Sequence, residues 1–74
     1  MMRMESMRRE KGWSRAELAR RAHMDAADLG KIERGLLVPY AAQVAKLADA
    51  LGVHEGAGRT LLEEVLDAEA ATAN

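Results

Sequence analysis

The chain has 74 residues, 49% apolar and 31% charged, with no cysteine and a formal net charge of −1. A chain this short forms one domain with a small core, burying roughly 60% of the surface that its unfolded form exposes. Without cysteine it has neither a disulfide nor a thiolate cage to support that core, which excludes a stapled secreted mini-protein and leads us to expect a cytoplasmic location.

No apolar run approaches the about 20 residues that cross a bilayer, and residues 1–11 carry charges where a signal peptide needs an apolar stretch. The aromatics are only Trp13 and Tyr40, while alanine and leucine dominate, a composition that favours helices over strands. An all-helical fold is expected. Its first helix spans about residues 2–11, with Met4, Met7 and Lys11 on one stripe and Gly12 as its terminator. Ser14 and Glu17 then have the spacing of a capping box, flanked by Trp13 and Leu18 as a hydrophobic staple, and start a helix over about 15–22. Asp25, with Asp28 at the matching acidic position, starts a third helix over about 26–34 that ends at Gly35. Only Ala22, His23 and Met24 link these two helices, which suits a tight, steep turn.

Leu36, Leu37 and Val38 form an apolar run after the third helix, and at least two of the three are expected to be buried. Val44, Leu47, Ala48 and Leu51 recur at helical steps and predict a fourth helix over about 41–51, stopped by Gly52. Residues 54–58 read as a flexible stretch. Thr60 and Glu63 have capping-box spacing and predict a fifth helix over about 61–69, with residues 70–74 as a frayed tail. The apolar stripe of that last helix, with Leu62, Val65 and Leu66, is wide enough to bind a second copy as well as to close the core.

Charge is unevenly spread. Residues 1–34 hold nine Lys or Arg against six Asp or Glu, a balance of +3, whereas residues 35–74 hold two against six, a balance of −4. The basic half is the one suited to a polyanion.

The ordered set Gly12-Trp13-Ser14, Glu17-Leu18-Ala19, Ile32-Glu33-Arg34-Gly35, Pro39, Leu47-Ala48 and Ala50-Leu51-Gly52-Val53 resembles the phage-repressor (Cro/XRE-type) helix-turn-helix domain. The resemblance runs from about Met4 to Val53. It implies a five-helix, lambda-repressor-like fold whose second and third helices form the DNA-binding unit, acting as a homodimer on double-stranded DNA. It further implies that Ala26, Ala27, Asp28, Lys31 and Arg34 on the third helix face the DNA and that Arg15 meets a phosphate. Arg8 and Glu33 match a structural ion pair that ties the first helix to the third.

Two departures give a runner-up reading. Ala26 and Ala27 have no hydrogen-bonding group for base readout, and the Leu36 to Val38 run stands where relatives place polar residues. Both suit a protein-interaction or antitoxin-like module on the same scaffold, with a protein partner at Leu36, Leu37 and Val38. Catalysis finds no support: His54-Glu55 resembles the start of a zinc-protease motif, but Gly58 stands where its second histidine is needed. Gly56 and Gly58 lack a phosphate-loop lysine. No enzyme activity, metal or cofactor is expected.

Overall fold

The computed structural model describes residues 1–63. Among these, four α-helices and one 3-10 helix follow one another without strands: α1 (Arg3–Glu10), α2 (Arg15–Arg21), α3 (Ala26–Glu33), α4 (Ala41–Leu51) and the 3-10 helix Glu55–Leu62.

The helix starts follow local chemistry. The Ser14 hydroxyl accepts from the Glu17 backbone N–H at 3.0 Å, and the Asp25 carboxylate accepts from the Asp28 N–H at 3.1 Å. Each bond satisfies one of the N–H groups that a first turn leaves without a partner. The other half of the expected Ser14/Glu17 box is missing, and Glu17 Oε2 instead accepts from Arg20 and, at 2.7 Å, from Arg21. At α4 the direction reverses, with the Gln43 side chain accepting from the Tyr40 N–H at 2.8 Å.

The helix ends share one device. After α1, α2, α3 and α4 the chain turns through a left-handed residue, respectively Gly12, His23, Gly35 and Gly52. In each turn the next residue's N–H reaches back to a carbonyl in the last helical turn: Trp13 to Arg8, Met24 to Ala19, Leu36 to Lys31 and Val53 to Ala48, at 2.8–3.2 Å. This pairing satisfies carbonyls that would otherwise lack donors and fixes the exit angle of the chain. Three of the four turns use glycine. The exception, His23 at φ 53°, is the link between α2 and α3.

Every helix contributes to one core. Met4 of α1, Leu18, Ala19 and Ala22 at α2, Leu29 and Ile32 of α3, Leu47, Ala48 and Leu51 of α4, and Leu61 of the 3-10 helix are all buried. Pairs α2/α3 and α4/3-10 pack most extensively, and α1 bridges α4 and the 3-10 helix. The Arg3 N–H donates to the Glu63 carbonyl at 2.7 Å, so the end of the described chain is tied back to the start of α1.

Two expectations are corrected here. Residues 54–58 are not a loose linker: the His54 ring nitrogen Nδ1 accepts from the Gly56 N–H at 3.1 Å and starts the 3-10 helix. Thr60 does not start a helix either, since its hydroxyl donates to the Ala57 carbonyl inside the 3-10 helix and the Glu63 backbone is extended. The expected helix over 61–69 therefore does not begin at Leu61, and its residues 64–69, like the expected frayed tail 70–74, lie outside the described residues. The physical reason is close packing. A β-carbon at Gly58 would stand 3.1 Å from Val44 Cγ1 and 3.9 Å from Ala48 Cβ, so glycine lets this segment lie directly on α4 and deliver Leu61 to the core.

The apolar run is also corrected. Leu36 and Val38 are 72% and 84% exposed, and only Leu37 packs against the core. Beyond the turn at Gly35 exposure alternates along the chain: Leu36, Val38 and Tyr40 are exposed, whereas Leu37 and Pro39 are half-buried.

Candidate nucleic-acid interface

The α2-turn-α3 unit places α3 with one face in the core and one in solvent. Leu29, Ile32 and Glu33 are turned inward, whereas Ala26, Ala27, Lys31 and Arg34 are exposed. At 3.6 residues per turn these four fall on one side of α3, with the buried Gly30 between Ala26 and Arg34. Asp28 is half-buried at the flank, and its contribution to the cap is its backbone N–H rather than its carboxylate. Lys31 and Arg34 are exposed and make no ion pair among the described residues.

Beside that face lies a cluster of arginines and glutamates joining α1, α2 and α3. The Glu33 side chain is fully buried and its carboxylate receives two nitrogens of Arg8, Nε to Oε2 at 2.9 Å and Nη2 to Oε1 at 3.2 Å. The third Arg8 contact is its Nη1 donating to the Trp13 carbonyl at 2.7 Å, which braces the turn between α1 and α2. A buried pair of this kind is satisfied on both sides, and removing either partner would leave a charge uncompensated in the interior.

Arg15 completes the cluster from α2. Its Nε donates to Glu33 Oε1 at 2.8 Å, and its Nη2 stands 3.7 Å from Glu5 Oε1. Glu33 foremost, with Glu5 adding to it, raises the Arg15 guanidinium above its ordinary value and keeps it charged. To reach Glu33 the Arg15 stem crosses α3 at Gly30, where an added β-carbon would meet Arg15 Cδ at 3.9 Å. Arg15 thus lies against the α3 outer face at Gly30 while its side chain stays 41% exposed. Its tie to Glu33 was not legible from a motif that matches Arg15 to a phosphate-contacting position alone.

Other cations are already engaged. Arg20 and Arg21 are held by Glu17, and Arg21 also stacks on the Trp13 ring at 4.3 Å, with Lys11 on the ring at 5.2 Å. The Arg20/Arg21 pair draws the Glu17 carboxyl below the usual carboxylate range. The i, i+4 spacing of Glu17 and Arg21 is a signal that sequence alone carries.

Of the residues on the final apolar stripe, Leu62 is half-buried and Val65 and Leu66 lie outside the described residues. Leu62 borders an open groove of about 690 Å³ with Val38, Pro39, Ala41 and Val44, on the side formed by α4 and the 3-10 helix. Among the described residues no group of His, Asp or Glu could hold a metal ion, and no helix is long and apolar enough to cross a membrane.

Comparison with curated proteins gave no match, and neither did comparison with solved structures. The family model described as a helix-turn-helix domain matches residues 2–62, which takes in all four α-helices and the 3-10 helix. The capped helix pair, its left-handed turn and the cationic outer face of α3 agree with that match: the chain belongs to the helix-turn-helix domain family, and DNA is the ligand that this membership points to.

Proposed function

We propose that the protein is a sequence-specific, repressor-like transcriptional regulator that sets α3 into the DNA major groove, works as a homodimer and acts in the cytoplasm. The observation that carries this reading is the outer face of α3, where Ala26, Ala27, Lys31 and Arg34 are exposed together and Arg15 borders them across Gly30. Small residues at the start of α3 allow a close approach to the groove floor, where alanine methyls suit a thymine methyl. Lys31 has the reach for guanine acceptors, and Asp28 for a cytosine amino group. Arg15 and Arg34 suit backbone phosphates. With two such phosphate contacts per copy, the logarithm of the binding constant should fall with the logarithm of salt at a slope of about −2, and about twice that for a dimer.

We assign the dimer contact to Leu62, Val65 and Leu66, supported by the open apolar groove that Leu62 borders. Arg8 and Glu33 serve the fold rather than the ligand, and binding, not catalysis, is the activity. A second reading, a protein-interaction or antitoxin-like module, is favoured by the outward row Leu36, Val38 and Tyr40, which leaves large apolar groups in water. Selection of bound duplexes from a random pool separates the two. Recovery of a two-fold symmetric sequence supports the regulator, while no enrichment by the folded protein overturns it and favours the protein partner.

A further inference from the structure

The two glutamates of the arginine cluster differ in what they are free to do. Glu33 is fully buried and bound by Arg8 and Arg15 through hydrogen bonds, so it is committed to the fold. Glu5 stands nearer the surface of α1, with its side chain 12% exposed, and divides its two oxygens between two arginines. Oε2 lies 2.9 Å from Arg9 Nη2, and Oε1 lies 3.7 Å from Arg15 Nη2. The second contact is a charge contact longer than a hydrogen bond, so a better anion can replace it without breaking one.

Both arginines remain open to such an anion, being 58% and 41% exposed at their side chains. A guanidinium offers five N–H donors in a planar fork. Arg15 spends Nε on Glu33 and turns one terminal nitrogen to Glu5, which leaves the rest of the fork unspent. The position of Glu5 between the two is thus that of an anion already resident in a cationic site.

We propose that Glu5 is an internal counterion that competes with the DNA backbone for Arg9 and Arg15 and holds the affinity of the interface below what its arginines would otherwise reach. The proposal rests on the DNA-binding reading above and adds to it the residue that sets backbone affinity. Its consequence is a gain of function on losing a side chain: without the Glu5 charge, the pair neutralises about one more phosphate, which steepens the salt slope by about 1 and tightens binding roughly three- to tenfold near 0.1 M salt.

The test uses a labelled duplex of mixed sequence, because backbone contacts are independent of sequence, titrated at several salt concentrations with the full chain. Glu5→Gln, and Glu5→Ala as a second variant, should both tighten binding and steepen the slope, with thermal melts showing that each is folded. Glu10→Gln changes the same charge on the same helix, at an exposed residue with no ion pair among the described residues, and should give a clearly smaller gain. In an Arg9→Ala/Arg15→Ala background the Glu5→Gln gain should shrink to that of Glu10→Gln. Binding by folded Glu5→Gln that equals or falls below wild type, or a gain that Glu10→Gln matches, overturns the proposal alone. Failure of the wild type to bind any duplex at low salt overturns the DNA-binding reading and the proposal with it.

Discussion

His23 is the strained point of the helix pair, and its replacement by glycine should stabilise the protein. The residue sits at φ 53°, in a turn whose backbone hydrogen bonds repeat those that Gly12, Gly35 and Gly52 make elsewhere in the chain. A side chain in the left-handed region costs about 1–2 kcal/mol, since its β-carbon crowds the following carbonyl. Histidine is among the residues that tolerate this region better than most, which places the cost at the low end. Glycine removes the crowding but adds conformational freedom to the unfolded chain, a loss of about 0.5–1 kcal/mol. The His23 ring is exposed and makes no hydrogen bond among the described residues, so nothing else is given up. The balance for His23→Gly is a small stabilisation of at most about 0.5 kcal/mol, or a Tm higher by up to about 4 °C for a domain of this size. Thermal melts by far-ultraviolet circular dichroism read this directly. His23→Ala, which keeps a β-carbon, should show no comparable gain. A lower Tm for His23→Gly would refute the strain argument and imply that the ring contributes to the turn.

Three further outcomes follow from the core and the charge cluster. Glu33→Ala strands the buried Arg8 guanidinium and releases Arg15, and should cost about 3–5 kcal/mol in urea unfolding, a large share of the about 5–15 kcal/mol that holds a typical domain together. Leu61→Ala removes a fully buried side chain delivered by the 3-10 helix and should cost about 2–5 kcal/mol; a cost near zero would mean that this helix is not part of the core. The Glu17 carboxyl is held below the ordinary carboxylate range by Arg20 and Arg21, so its contribution to stability is complete above that range and is lost as pH falls through the lowered value. Glu17→Gln should therefore be less stable than wild type near neutrality and converge with it in strong acid, as followed by melts across pH.

The parts of this fold that were legible in the sequence are those decided within a few residues. Ser14 and Asp25 cap α2 and α3 through their own side chains, and the period of Val44, Leu47, Ala48 and Leu51 places α4 against the core. The misread parts depend on contacts between distant segments. Thr60 and Glu63 have the spacing of a helix start, yet the close approach of Gly58 to Val44 draws the chain onto α4 in a tighter helix, and the Thr60 hydroxyl turns inward to Ala57. At least two of Leu36, Leu37 and Val38 read as core by composition, but beyond the turn at Gly35 Leu36 and Val38 are exposed. At the candidate site, the exposure of Ala26, Ala27, Lys31 and Arg34 follows from helical period. The sharing of Glu33 by Arg8 and Arg15 does not, because it joins residues 25 and 18 positions apart. Glu17 has the spacing of a capping box, yet its carboxylate pairs with Arg20 and Arg21.

The central claim is that duplex DNA meets the outer face of α3, and backbone amide shifts of isotope-labelled protein titrated with a duplex at low salt test it most directly. The account predicts that the largest changes fall at Arg15, Ala26, Ala27, Lys31 and Arg34, fade as salt is raised, and weaken when Arg15 and Lys31 are changed to alanine. Changes centred instead on Leu36, Val38 and Tyr40, or no changes at any duplex concentration, would contradict it.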